Sequence, residues 1–216
     1  MSVLGPVVGI ILAGGLGTRM GGGDKPLVEV GGKPMLAHVI ERFRPQVDRL
    51  VLNANGDPER FSAYGLPVVA DSIEGYVGPL AGLLAGMRWT DANFPAAHFV
   101  VTAAADTPFF PVDLVARLSQ GCGKHEDMVA VAASGEGAQP VFARWPVRLA
   151  GALEDFLQRG ERKILGFADR FLRLNVPFDD ISLPGGETVD PFFNVNTPEE
   201  AARAESIAAA IDGVRK

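Results

Sequence analysis

The sequence of 216 residues has little of several features that would define a protein class. Its one cysteine, Cys122, cannot form an internal disulfide, and its histidines (His38, His98 and His125) share no spacing typical of metal ligands. Lys and Arg number 20 against 26 Asp and Glu, which argues against a broad nucleic-acid surface. No apolar stretch approaches the ~20 residues of a membrane-spanning helix. We therefore expect a cytoplasmic protein that binds neither nucleic acid nor membranes.

Other familiar patterns are also absent. Residues 3–12 are apolar like the core of a signal peptide, but no basic segment precedes them and no small-residue cleavage site follows. A buried strand is the better interpretation. The chain has neither a Gly-x-Ser-x-Gly elbow nor a Cys-x-x-Cys pair. Cys122 stands between two glycines, and we predict a surface or boundary residue without chemistry there.

Apolar runs alternate with helical patterns along most of the chain, and the 47% hydrophobic content supplies one sizeable core. This order predicts a three-layer α/β/α fold with helices on both faces of a mostly parallel central sheet. Residues 178–190 are rich in Pro, Gly and Asp and predict an exposed loop. Predicted strands cover residues 7–12, 50–53, 68–71, 99–102, 128–132 and 141–143. Predicted helices cover residues 34–44, 80–87, 112–118, 147–159 and 198–211. Thr197 and Glu200 form a capping box at the start of the last helix.

A glycine-rich segment directly follows the first predicted strand. Six of the ten positions 14–23 are glycine, far more than a turn requires. Glycines let backbone N–H groups approach a phosphate closely, and Arg19 and Lys25 add positive charge. The segment therefore predicts a phosphate-binding loop in a nucleotide-binding, Rossmann-like fold. We expect a single domain over 1–216, with a nucleotide-binding part at about 1–120 and an acceptor-binding part at about 121–216.

Spacing excludes two commoner phosphate-binding motifs. A dinucleotide fingerprint that begins at Gly15 requires glycine at position 20, where the chain has Met20. A P-loop ends in Gly-Lys-Ser or Gly-Lys-Thr, whereas the two Gly-Lys pairs of this chain precede Pro34 and His125. A flexible linker, in turn, has no need for cations among its glycines.

The glycine-rich segment resembles the signature of the molybdenum cofactor guanylyltransferases, the MobA family. The pattern is Leu-Ala-Gly-Gly-x-x-x-Arg-Met-Gly-x-x-Asp-Lys over residues 12–25. The resemblance implies transfer of GMP from GTP to the terminal phosphate of molybdenum-molybdopterin. It also implies a molybdenum-insertion protein and recipient molybdoenzymes as partners. Further matching segments follow in the family's order and span nearly the whole chain: Asn53-Ala54-Asn55, Asp71-Ser72, Gly78-Pro79-Leu80-Ala81-Gly82, Asp106-Thr107-Pro108 and Asn-Val-Asn-Thr-Pro-Glu-Glu at 194–200.

Asp106 follows the predicted strand 99–102, at the edge of a parallel sheet where ligands bind. Mg²⁺ is held by one or two carboxylates together with substrate phosphates, so Asp106 suits a metal ligand. The residues alone leave a plain turn equally open, and the resemblance favours the metal. No activated Ser or Cys nucleophile is apparent, so we expect direct in-line transfer. Arg19, Lys25 and Asp106 are the candidate catalytic residues, with Arg19 and Lys25 holding the leaving pyrophosphate.

The resemblance also assigns the base and the acceptor. It implies that Asp71 reads guanine, because a carboxylate can accept both N–H donors of that base, and that Asn53 contacts the nucleotide; a helix cap and a loop amide are the alternatives. Asn194 and Asn196 alternate on a short extended segment and so share a face. The resemblance places them near the pterin, whereas a solvated edge is the plainer interpretation. The candidate nucleotide-binding set is Leu12, Ala13, Gly14, Gly15, Lys25, Asn53, Asp71, Gly78 and Asp106.

Three other functions remain open on the sequence. A relative that transfers CMP to the same pterin shares the glycine-rich loop. The segment Gly17-Thr18-Arg19 also fits sugar-1-phosphate nucleotidyltransferases, although the short chain and the early Lys25 count against them. A non-catalytic nucleotide-binding module is the third, and it would not need the candidate metal ligand.

Overall fold

The computed structural model of the protein describes residues 5–14, 24–73, 78–123, 125 and 127–214. Among these residues, no helix combines the length and the apolar composition that crossing a bilayer requires. The strands are β1 (Val7–Leu12), β2 (Glu29–Val30), β3 (Lys33–Pro34), β4 (Arg49–Asn53), β5 (Val68–Val69), β6 (Phe99–Ala104), β7 (Val129–Ser134), β8 (Gly137–Pro146), β9 (Arg173–Pro177), β10 (Ile181–Ser182) and β11 (Thr188–Val189).

Seven strands form one central sheet in the order β5-β4-β1-β6-β8-β7-β9. The pairs β5–β4, β4–β1, β1–β6 and β7–β9 are parallel. Strand β8 pairs antiparallel with both of its neighbours, so it alone runs against the other six strands of this sheet. The mostly parallel sheet that the sequence predicts is confirmed. Two short antiparallel hairpins, β2–β3 and β10–β11, lie outside it.

Helices cover both faces of the sheet. The α-helices are α1 (Met35–Phe43), α2 (Pro79–Asn93), α3 (Leu114–Cys122), α4 (Ala150–Gln158), α5 (Ile164–Ala168) and α6 (Pro198–Val214). On one face, α1 and α3 pack in a core with Ile11 and Val101. On the other face, α2, α4 and α5 pack in a core with Ile10, Val100 and Trp145. Helix α6 shares a third, smaller core with Val30 of β2 and Val189 of β11.

Residue size sets how closely α2 approaches the sheet. A β-carbon added at Gly86 would lie 2.4 Å from Ile10 Cδ1, well inside van der Waals contact. The helix therefore packs with its backbone against β1, and the side chains of Leu83, Leu84 and Met87 belong to the same apolar core as Ile10. This close packing fixes the start of α2 near the carboxyl end of β1.

Strand order places the candidate site at a topological switch point. From β1 the chain moves through α1 to β4 and then outward to β5, after which α2 returns it to β6 on the other side of β1. The carboxyl ends of β1 and β6 therefore diverge into connections that leave in opposite directions. In open α/β sheets, this is where ligands bind.

Two of the sequence-based predictions are wrong. Residues 178–190 do not form a plain exposed loop: they contain the β10–β11 hairpin, and Phe178 and Val189 are buried. Cys122 is buried too, at the end of α3, and not at the surface. In both cases local Gly and Pro content indicated exposure, whereas packing against distant elements decided the burial. The pattern also missed α5 and β9, and it predicted only the middle of β8.

Candidate active site

Lys25 joins three parts of the chain that are far apart in sequence. Its ammonium group forms an ion pair with Oδ2 of Asp106 and donates a hydrogen bond of 2.7 Å to Oδ1 of Asn196. The side chains of Lys25 and Asp106 are 15% and 21% exposed, so the pair is sheltered but open to a ligand. The structure thus brings the candidate cation, the candidate metal ligand and one candidate acceptor residue into one cluster.

Local structure fixes each member of this cluster. Lys25 begins a 3₁₀ turn, Lys25–Leu27, whose second residue is Pro26. Asp106 follows β6 by two residues, and its carbonyl accepts a hydrogen bond of 3.0 Å from the backbone of Val195. That bond places the segment 194–196 alongside Asp106. Val195 is buried, whereas Asn194 is exposed and Asn196 is half-buried.

The predicted capping box of α6 holds Asn196. The Glu200 carboxylate accepts hydrogen bonds from the backbone N–H groups of Asn196 and Thr197 through its Oε2, at 2.5 and 3.0 Å. The Thr197 hydroxyl in turn accepts one from the backbone of Glu200 at 3.2 Å. This reciprocal arrangement satisfies free N–H groups at the helix start, and it confirms the box. The start of α6 is therefore also the support of the Asn196 side chain.

A second cluster lies at the ends of β4 and β5. Asn53 Nδ2 donates to Oδ1 of Asp71 at 2.9 Å and to the Val69 carbonyl at 3.0 Å. Asn55 Nδ2 donates to Oδ2 of Asp71 at 2.8 Å, and the Asp71 backbone N–H returns a bond of 2.8 Å to Asn55 Oδ1. Both carboxylate oxygens of Asp71 are thus held by amides, which fixes the plane of the carboxylate. Asn55 is part of a matched motif but was not among the candidate residues.

Two glycines, Gly82 and Gly14, allow the backbone to pass close to the Asn53 side chain. A β-carbon at Gly82 would lie 2.0 Å from Asn53 Oδ1 and 2.9 Å from Leu12 Cδ2, so the first turn of α2 packs directly on both residues. A β-carbon at Gly14 would lie 3.4 Å from the same Asn53 oxygen. Asn53 is 2% exposed, so its direct contact with a nucleotide stays a prediction while its hold on Asp71 is observed.

The remaining candidates follow from the same elements. Ala13 donates from its backbone to the Asn53 carbonyl at 2.9 Å, and the Leu12 carbonyl accepts from Ala105 at 3.1 Å. Gly78 is exposed, directly precedes α2 as its N-cap residue and has φ of 139°, a conformation that glycine accommodates without strain. Gly15 and Arg19 lie outside the described residues.

Sequence reasoning missed Asp24 and Arg60 as well as Asn55. Asp24 precedes Lys25, and its carboxylate pairs with the Arg60 guanidinium. Arg60 lies in the 3₁₀ segment Pro58–Tyr64, which contains none of the matched motifs. Asp24 is part of the matched motif over residues 12–25, but that motif gives no indication that Arg60 is its partner.

The one thiol has no part in this site. Burial raises the pKa of Cys122 against an opposing effect of the Arg144 guanidinium. A thiol with a raised pKa stays protonated near neutral pH and is a poor nucleophile. Its Sγ donates a long contact of 3.8 Å to the Met128 carbonyl, next to the start of β7, at the end of the sheet remote from the carboxyl ends of β1 and β6.

The oxygen ligand that Asp106 offers fits a magnesium site in which the protein supplies one carboxylate and the substrate phosphates supply further ligands. In the described part of the chain, no group of three or more His, Cys, Asp or Glu side chains is arranged to hold a metal. Mg²⁺ seldom requires such a cage, because phosphate oxygens and water supply most of its ligands. The partly exposed carboxylate of Asp106 offers a hard oxygen ligand at the position where a phosphate would lie beside Lys25.

A switch point with a sheltered lysine, a carboxylate paired with it and a second carboxylate held by two amides suits a nucleoside triphosphate. The fold and the site together define a nucleotidyltransferase-like α/β protein. Residues 9–172 match the family model of the MobA-like NTP transferase domain. The chain therefore belongs to the MobA family of molybdenum cofactor guanylyltransferases, as its motifs indicated.

Individual relatives agree with this assignment. A molybdenum cofactor guanylyltransferase of Bradyrhizobium sp. (strain ORS 278) is 49% identical over 207 residues, 95% of either chain. Another, of Rhodopseudomonas palustris (strain BisB5), is 50% identical over 200 residues, 92% of either chain. The crystal structure of molybdopterin-guanine dinucleotide biosynthesis protein A from Archaeoglobus fulgidus superposes with a TM-score of 0.72 at 26% identity, over 94% of this chain and 98% of that one.

Proposed function

We propose that the protein transfers GMP from GTP to the terminal phosphate of molybdenum-molybdopterin, giving the guanine dinucleotide form of the cofactor and pyrophosphate. The observation that carries the proposal is the contact of Lys25 with both Asp106 and Asn196. It unites the segments to which the motifs assign triphosphate, metal and acceptor. Relatives at 49% and 50% identity carry this activity in their names.

On the phosphate side, Lys25 would donate to phosphate oxygens of GTP, together with Arg19 and the glycine-rich loop. Mg²⁺, held by Asp106 and the phosphates, would neutralise charge that builds up during transfer. Lysine suits this position because its ammonium group is a compact charge with three donors. The hydrogen bonds to Asp106 and Asn196 orient that group before a phosphate arrives.

The transfer itself needs one bond made and one broken. A terminal phosphate oxygen of the acceptor bonds to the α-phosphorus of GTP, while the bond from that phosphorus to the bridging oxygen of the β-phosphate breaks. The bridging oxygen leaves with pyrophosphate. This chemistry depends on positioning and on charge neutralisation, and it requires no covalent intermediate with the protein.

Asp71 is proposed to recognise guanine. The N1–H and 2-amino groups of guanine form a pair of parallel donors, which a carboxylate in a fixed plane can accept. Each oxygen of Asp71 already accepts one amide hydrogen bond, from Asn53 or from Asn55. A carboxylate has about four acceptor sites, so one on each oxygen remains for the base.

Asn194 and Asn196 are proposed to contact the acceptor. The side chain of Asn196 accepts a hydrogen bond from Lys25, and Asn194, two residues earlier in the chain, is exposed. The residue between them, Val195, is buried. Amides can both donate to phosphate oxygens and accept from the amino groups of a pterin. The molybdenum-insertion protein and recipient molybdoenzymes remain the proposed protein partners.

The test is product formation with a panel of substrates. The purified chain and Mg²⁺ are incubated with GTP, CTP or ATP and with either molybdenum-molybdopterin or a sugar 1-phosphate as the acceptor, and pyrophosphate and the dinucleotide product are measured. We expect GTP to be strongly preferred. Preference for CTP would identify the cytidylyl relative, and pyrophosphate release only with a sugar 1-phosphate would identify that transferase class. Tight GTP binding without turnover would favour a binding module, and each of these three results contradicts the proposal.

Asp71→Asn should remove the preference for guanine. The amide presents one acceptor and one donor, so it cannot pair with both donors of the base, and an unpaired buried donor is costly. We expect kcat/KM for GTP to fall by on the order of 10²-fold. ITP lacks the 2-amino group, so the wild-type preference for GTP over ITP should nearly vanish in the variant.

The GTP-to-ITP ratio separates recognition from general damage, because misfolding lowers both rates equally. Asp169→Asn is the matched control. That residue pairs with Arg173 at the opposite edge of the sheet, just before β9 begins. A variant at position 71 that keeps the wild-type ratio would exclude Asp71 as the base reader.

A further inference from the structure

Arg60 makes three contacts beside the Lys25 turn. Its Nη1 pairs with Oδ1 of Asp24, and its Nη2 donates to the carbonyl of Asn55. Its guanidinium also lies 4.7 Å from the centre of the Phe61 ring, and Phe61 is buried. These contacts fix the guanidinium in one place even though its side chain is 30% exposed.

Asp24 creates an electrostatic problem for a triphosphate site. It is the residue immediately before Lys25, and its side chain is 33% exposed. A carboxylate next to the phosphate-binding lysine repels the several negative charges of GTP, and partly buried charges are screened less by salt than exposed ones. Pairing with Arg60 compensates this charge.

Arg60 is also placed between the two clusters of the site. The Asn55 carbonyl that it binds belongs to the residue whose side chain holds Asp71. One guanidinium fork thus contacts both the turn that carries Lys25 and the segment after β4, whose Asn55 side chain holds the proposed guanine reader Asp71. Arginine suits such a position because its planar fork donates in two directions at once.

We propose that Arg60 is a positioning residue for GTP binding, which acts by neutralising Asp24 beside Lys25. The inference rests on the proposed function. It predicts that Arg60 affects nucleotide affinity and not the chemical step, because it contacts the turn and not the reacting atoms.

The test is a set of variants assayed for GTP-dependent pyrophosphate release. Arg60→Met keeps an apolar stem over Phe61 and should raise KM for GTP by on the order of tenfold, with kcat within about twofold, because one member of a charge pair is left uncompensated. Arg60→Lys retains the charge but not the planar fork, so its KM for GTP should lie between those of the wild type and Arg60→Met. Adding Asp24→Asn to Arg60→Met should restore KM to near the wild-type value, since the uncompensated charge is gone.

Rescue of KM by Asp24→Asn distinguishes charge neutralisation from a purely structural role. If the Arg60–Asp24 contact served only to hold the two segments together, removing its second partner as well would not restore KM. A double variant as impaired as Arg60→Met would overturn the inference, and so would an Arg60→Met enzyme with the wild-type KM. Arg49→Met is the control: this arginine also lies over an aromatic ring, that of Phe94, but at the opposite end of β4. A wild-type chain without GTP-dependent pyrophosphate release would instead refute the proposed function, and the inference with it.

Discussion

Lys25→Ala is expected to lower kcat/KM for GTP by about 10²–10³-fold, the range found when one preorganised charge-stabilising donor is removed. The ammonium group lies between Asp106 and Asn196, where the segments assigned to metal and acceptor meet. No other cation among the described residues contacts Asp106. Pyrophosphate release at saturating and limiting GTP measures the loss.

The fold should survive this change. The side chains of the pair are 15% and 21% exposed, so water reaches the carboxylate that the change leaves unpaired, and the free energy of unfolding should fall by roughly 1–3 kcal/mol. The melting temperature of the variant should therefore fall by no more than about 10 °C, and the variant should remain folded. Lys33→Ala removes a lysine that pairs with Glu41 on the exposed surface, and it should leave activity unchanged. Equal activity of Lys25→Ala and Lys33→Ala would rule out the proposed role of Lys25.

Asp106→Asn is expected to reduce kcat by a similar factor, about 10²–10³, and to change the metal dependence. An amide is a neutral and weaker ligand for Mg²⁺ than a carboxylate. Half-maximal activity should therefore require a higher Mg²⁺ concentration. The asparagine side chain has nearly the same size and shape as that of aspartate, so the change mainly removes the charge. The measurement is a Mg²⁺ titration of pyrophosphate release at fixed GTP.

The metal titration separates a metal ligand from a partner that only orients Lys25. If Asp106 merely oriented the lysine, the rate would fall while the Mg²⁺ titration kept its wild-type midpoint, and that result would refute the metal role. Asp127→Asn provides the control, because Asp127 pairs with Arg148 near the start of β7, at the end of the sheet remote from the carboxyl ends of β1 and β6. Its activity and metal dependence should match those of the wild type.

Much of the fold could be predicted because its signals are local. Continuous apolar runs such as Val7–Leu12 indicate strands covered on both faces, and their alternation with helical patterns indicates a parallel sheet. The site followed from the same logic, since parallel strands end at one edge. Lys25 and Asp106 could be expected to meet there, although 81 positions separate them.

The rest depends on contacts between distant residues. Nothing near Arg60 indicates that its partners are Asp24 and the Asn55 carbonyl, because a surface arginine looks the same in any polar segment. Burial of Cys122 follows from packing of α3 on the sheet, although its glycine neighbours indicated exposure. The β10–β11 hairpin likewise forms in a segment whose composition alone is that of a loop.

The close approach of Gly82 to Asn53 links the packing of α2 to the position of the proposed guanine reader, Asp71. A side chain at position 82 would have to occupy the place of the Asn53 amide, so α2 cannot shift along β1 without disturbing the residue that holds Asp71. With Asp71 in its proposed role, sequence drift in this helix is constrained by nucleotide recognition as well as by folding. Variants that loosen its packing should lose discrimination between nucleotides before they lose their native structure.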